Sequence, residues 1–108
     1  MSYFIKRHIL KFGDSNEQEI VLPAGSKILK AEVFHGEIVL YSIYNRGQEN
    51  MHTYHISIFT TNQLFIYDDT YDYYGSVNVK NITAHIFGKE VKEIKKRGRP
   101  QKYKTMEV

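Results

Sequence analysis

Short apolar segments, each cut off by a cluster of turn-forming residues, recur along the first 88 residues of this 108-residue chain. Such punctuation leaves no room for a long helix, and alternation of apolar and polar residues inside the segments has the period of a strand. Residues 5–12 stop at Gly13, Asp14, Ser15 and Asn16, and residues 19–22 stop at Pro23, Ala24 and Gly25. The clearest hairpin follows. Leu29, Ala31 and Val33 share one face of a strand, Val39, Tyr41 and Ile43 share one face of the next, and His35-Gly36 lies between them as a two-residue turn. Residues 45–50 form a polar loop, after which Tyr54, Ile56 and Ile58 alternate with His55, Ser57 and Phe59. Residues 64–67 and 76–79 are predicted as short strands on either side of an Asp- and Tyr-rich stretch, and Ile82, Ala84 and Ile86 mark one face of a last strand ending at Gly88.

Seven to eight short strands about ten residues apart predict an all-β fold, a small antiparallel sandwich or barrel. The expected core contains Leu29, Val33, Val39, Ile43, Ile56, Ile58, Ile82 and Ile86. Apolar residues make up 42% of the chain, with nine Tyr and six Phe, too many for a disordered protein, and 108 residues suit a single core. Strands apolar on both faces, as around Phe59 and Phe87, expose more apolar surface than one core hides, which predicts a homo-oligomer. Cysteine is absent, which removes disulfides, thiolate nucleophiles and Cys-based zinc sites. Residues 1–8 carry charges inside their only apolar stretch, unlike a signal peptide, and no run approaches the ~18 apolar residues of a membrane helix. A soluble cytoplasmic protein without membrane contact is expected.

The net charge of +3 hides a division. Residues 1–88 hold seven basic and nine acidic residues, net −2, whereas residues 89–108 hold eight basic and three acidic, net +5. Val91 and Ile94, spaced i, i+3, suit one or two helical turns over residues 90–96, and the Gly-Arg-Pro beyond them predicts an extended basic tail. That division predicts two parts: a β domain over residues 1–88 and a basic tail over residues 89–108. Lys96, Arg97, Gly98, Arg99, Pro100, Gln101 and Lys102 resemble the AT-hook, a short peptide that binds the minor groove of A·T-rich duplex DNA. The resemblance covers the Arg-Gly-Arg-Pro core and departs from it at Gln101, where a second basic residue is usual. The chemistry agrees with it. A narrow A·T minor groove is strongly negative and attracts inserted Arg side chains. Gly98 lets the backbone approach the groove floor, and Pro100 fixes an extended path. By that resemblance Arg97 and Arg99 enter the groove, while Lys95, Lys96, Lys102 and Lys104 reach phosphates on either side. The rival reading is a solvated basic extension with generic polyanion affinity.

The body resembles a family of small, functionally uncharacterised proteins encoded by tailed bacteriophages. The likeness rests on residues 22–29, the hairpin through His35 and Gly36, the run Tyr74, Gly75, Ser76 and Val77, and the terminal Ala84, His85, Ile86 and Phe87. Tyr41 and Ala84 stand where that family tends to carry Trp, and a Gly-rich turn near Thr60 and Thr61 is missing. None of these residues is catalytic; the resemblance implies a role in host takeover or anti-defence.

Asp68, Asp69 and Asp72, interleaved with Tyr67, Tyr71, Tyr73 and Tyr74, could present a partner surface of aromatic anchors and carboxylates, or form a hairpin loop packed back onto the sheet. The five histidines lack ligand-like spacing: His52 and His55, three apart in a strand, point to opposite faces. No nucleophile motif, P-loop or metalloprotease motif is present, so no catalytic residues, no cofactor and no metal are expected. Two functions remain: a phage-type DNA-binding accessory protein, or a phage-encoded inhibitor that sequesters a host defence protein or a small anionic ligand.

Overall fold

The computed structural model describes residues 2–13 and 16–94, with side chains as far as Val91. Seven antiparallel strands form two sheets, and no helix occurs among the described residues. The strands are β1 (Tyr3–Leu10), β2 (Glu17–Pro23), β3 (Lys27–Phe34), β4 (Glu37–Asn45), β5 (Met51–Thr60), β6 (Asp72–Val79) and β7 (Ile82–Ile94). The three-stranded sheet has the order β1-β4-β3 and the four-stranded sheet β2-β5-β7-β6. The fold is a β-sandwich. Leu10, Ile38 and Leu40 meet Leu22, Tyr54, Ile56, Ile58, Val77, Val79, Ala84 and Ile86 between the sheets.

Two tight hairpins set the register. His35 and Gly36 have φ of 52° and 80°, and Lys80 and Asn81 have φ of 51° and 68°. Positive φ at both central residues matches the right-handed twist of the flanking strands. The first of these turns lies where the sequence predicts it; the second joins β6 to β7.

Three expectations are corrected. Residues 64–67 are not a strand but part of an irregular crossing between β5 and β6. Their apolar run is one of aromatic anchors and exposed aliphatics rather than of strand alternation. The last strand does not stop at Gly88: β7 runs on to Ile94, with Glu90 paired to Tyr54 and Val91 to Thr53, so residues 90–94 are extended rather than helical. Pairing with a central strand outweighs the weak i, i+3 signal of Val91 and Ile94.

The third correction concerns the core. Ile56, Ile58 and Ile86 are buried, but Leu29 and Ile82 are each 45% exposed. Pairing shifts register between Ile28 and Lys30, and this bulge takes Leu29 out of phase, so that Ile28, Ala31 and Val33 pack on the core instead. In β4 the inward residues are Ile38, Leu40 and Ser42, the set opposite to the one predicted. Val39 is buried too, but on the other face, which it shares with half-buried Tyr41 and Ile43 and with Arg7, whose guanidinium stacks 4.2 Å over the Phe34 ring. Ile82 keeps the phase of Ala84 and Ile86 but sits beside the hairpin turn, where the sandwich is open.

Candidate functional site: an aromatic and acidic pocket on the four-stranded sheet

The outward positions of the four-stranded sheet bring Phe59 of β5, Phe87 of β7 and Tyr73 of β6 together, with Tyr73 directly across from Phe87. Over them lies the crossing of residues 61–71. Phe65 stacks on Phe59 with ring centroids 3.9 Å apart and planes 8° apart, and Tyr67 meets Phe87 edge-on at 6.4 Å. Offset and edge contacts of this kind add to the burial of each ring.

Polar anchors pin both ends of the crossing. His85 is hydrogen-bonded to the Thr61 hydroxyl through Nε2 at 2.8 Å and to the Tyr73 hydroxyl through Nδ1 at 3.0 Å. Asp68 Oδ1 accepts from the Thr70 hydroxyl at 2.6 Å and the Thr70 backbone N–H at 2.9 Å, and these bonds hold its carboxyl below the usual carboxylate range. Lys89 donates to the Thr70 hydroxyl at 3.1 Å, and its Nζ lies 4.0 Å from Asp68 Oδ2 and 5.0 Å from the Tyr71 ring centroid. A crossing held so firmly still leaves Leu64 98% and Ile66 94% exposed. Between crossing and sheet lies a pocket of about 250 Å³ walled by Phe59, Phe65, Tyr67, Tyr71 and Phe87, with Glu17 and Asp68 at its edge.

Of the predicted partner surface, Tyr67, Asp68 and Tyr71 belong to this pocket, and Asp69 lies beside it in a shallower hollow. Tyr73 reaches it through Phe87. Asp72 instead borders a second hollow of about 330 Å³ with Ser26, Lys27, Tyr54, Tyr74 and Glu90. The pairs Phe59–Phe65 and Thr61–His85 have no signal in the sequence, because only the crossing's path over the sheet brings them together. The predicted nucleic-acid residues Lys95, Lys96, Arg97, Gly98, Arg99, Pro100, Lys102 and Lys104 lie outside the described residues.

The second hollow is a structural junction. Glu90 Oε2 accepts from the Gly25 backbone N–H at 3.0 Å and lies 2.6 Å from His52 Nδ1, while Tyr54 donates to the Ser26 carbonyl at 2.9 Å. Burial alone would raise the Glu90 carboxyl, but the bonds from Gly25 and His52 outweigh it and hold the carboxyl below its ordinary 4.5. Burial pushes the Tyr54 phenol up, and it pushes the Tyr74 phenol up to about 12. A bulge between Tyr73 and Gly75 brings Tyr74 onto the core, directly over Gly88, where a Cβ would collide with the Tyr74 ring and stand 3.0 Å from the His55 carbonyl oxygen. His55 pairs with Glu19 at 3.0 Å, so His52 and His55 serve different carboxylates. Among the described residues no group of three or more His, Cys, Asp or Glu is placed to hold a metal ion.

A pH dependence follows from Glu90. A carboxyl whose folded pKa lies below its unfolded value stabilises the fold above the unfolded value and loses that contribution as pH falls through the folded one. Urea midpoints should therefore fall as pH drops below 4.5, and Glu90→Gln should flatten that fall while lowering the midpoint at neutral pH. His8, whose pKa burial and then Lys6 hold below 6.5, adds an earlier decline beginning at that value and unaffected by the Glu90 change. Parallel curves for wild type and Glu90→Gln below pH 4.5 would refute the role given to Glu90.

Residues 1–97 match the domain of unknown function DUF7352. The chain belongs to that family. The DUF7352 match takes in all seven strands and both hollows and ends at Arg97, so Gly98, Arg99, Pro100 and the lysines beyond them follow the shared domain. No curated protein and no solved structure matches the chain. No helix among the described residues is long and apolar enough to cross a membrane.

Proposed function

We propose that this is a non-catalytic, phage-type DNA-binding accessory protein in the host cytoplasm, whose β domain engages a partner or a second copy while its basic tail grips the minor groove of A·T-rich duplex DNA. The observation that carries this reading is the placement of the charge. Residues 95–108 hold six basic residues against the single Glu107, with Arg97-Gly98-Arg99-Pro100 at their centre, just past a strand-built body of net −2. Charge gathered on one segment directs a polyanion to that segment. Leu64 and Ile66, held out on an anchored crossing beside the aromatic pocket, support partner binding by the body.

The test is fluorescence anisotropy with labelled A·T-rich and G·C-rich duplexes, using the full chain and a variant lacking residues 95–104. Binding by the full chain that favours A·T-rich duplex and disappears in the deletion is the expected result. Duplex binding that survives the deletion would refute the tail's role. The exposure of Leu64 and Ile66 also favours a second reading, capture of a host protein by the β domain, for which biological activity would survive the same deletion. The carboxylates of Glu17 and Asp68 at the pocket make a protein a better guest there than a small anion.

A further inference from the structure

The pocket on the four-stranded sheet has the two features that hold a guanidinium or ammonium group: ring faces and adjacent carboxylates. Glu17 and Glu19 extend the acidic character along β2, and Asp68 and Asp69 extend it along the crossing. One cation already lies against this face. Lys89, the first residue of the basic C-terminal run, lies over Tyr71 and against Asp68 and Thr70. We infer that residues 95–108 dock back onto this acidic, aromatic face of their own chain, so that the face competes with DNA for the same arginines and lysines. The competition rests on the proposed DNA function; the docking does not.

Length and charge permit it. Ile94 pairs with His52, and Ser57, five positions along β5, borders the pocket, a distance of about 17 Å at about 3.4 Å per residue. Fourteen residues follow Ile94 and can span up to about 50 Å, enough to turn and bring Lys102 and Lys104 to the rings and Arg97 and Arg99 to Glu17 and Glu19. The segment is +5 and the body −2, and a tether this short keeps the local concentration of tail near millimolar. Each exposed ion pair is weak and screened by salt, so the contact should open as ionic strength rises. Attraction of this kind favours the tail over free anions, which the same carboxylates repel.

Zero-length carbodiimide coupling of the full chain at low salt, followed by peptide mapping, tests the docking. The expected products are amides within one chain between lysines of residues 95–104 and Glu17, Glu19 or Asp69, lost at about 0.5 M salt. Coupling to other carboxylates alone, or between separate chains alone, would overturn it. A second arm measures A·T-rich duplex binding by the Glu17→Gln/Asp69→Asn double variant, which removes two charges while leaving Asp68 to cap Thr70. Binding several-fold tighter than the parent at low salt is expected, and unchanged binding overturns the competition. A full chain that fails to bind duplex at all would overturn the proposed function, while the coupling result would still decide the docking.

Discussion

Truncating Ile86 to alanine should lower the stability of the fold by about 2–5 kcal/mol, because the site is fully buried between the sheets and its neighbours cannot collapse onto the space left behind. Ile86 sits on β7 between Ile58 of β5 and Gly75 of β6, so packing from both neighbouring strands meets there. Domains of this size have total stabilities of roughly 5–15 kcal/mol, and the variant should therefore lose a large share of its urea midpoint. Ile82→Ala is the internal control. It changes the same residue type on the same face of the same strand, but 45% of Ile82 is exposed, and its cost should stay within about 1 kcal/mol. Equal losses at the two sites would mean that the sandwich closes over Ile82 as tightly as over Ile86, contrary to the exposure of that end.

Gly98→Ala should lower affinity for A·T-rich duplex by about tenfold or more, equivalent to about 1.4 kcal/mol, without changing any charge. A groove-inserted backbone has no space for the methyl group, whereas a generic basic extension tolerates it. Arg99→Ala should weaken binding and also erase the preference for A·T over G·C duplex, since the guanine amino group obstructs the groove floor that the Arg reads. Lys102→Ala with Lys104→Ala should weaken all duplexes alike and reduce the slope of log K against log salt by about 2, one for each phosphate no longer neutralised. Anisotropy titrations at several salt concentrations separate these effects. Parent-like binding of A·T-rich duplex by Gly98→Ala would reduce the tail to a charged extension and refute the hook.

Local signals were the most legible part of the chain. The turn at His35-Gly36 needs only a residue free to take positive φ between two apolar runs, and the alternation through Ile56 and Ile58 depends on nothing beyond its own strand. The absence of helix among the described residues before Gly88 follows from the spacing of the turn formers. The pocket was half legible: the Asp- and Tyr-rich stretch stood out by composition, yet its partners Phe59 and Phe87 come from strands that alternation alone does not place beside it. Leu64 and Ile66 read as strand residues because apolar side chains in a short run look the same whether they are buried or held out on an anchored crossing.

By itself the sequence determined the fold class, the turn at His35-Gly36 and the separation of a basic segment from an acidic body, because each depends on neighbours a few residues apart. Which face of β3 and β4 turns inward was a tertiary decision. Alternation with period two specifies that two faces differ, but Ile38, Leu40 and Ser42 compete with Val39, Tyr41 and Ile43 on nearly equal terms, and one bulged residue at Leu29 exchanges the faces of its strand. The continuation of β7 past Gly88 was decided the same way. Glu90 has no strand preference of its own, and it is Gly25 and His52, distant in sequence, that satisfy its carboxylate and hold the strand in place.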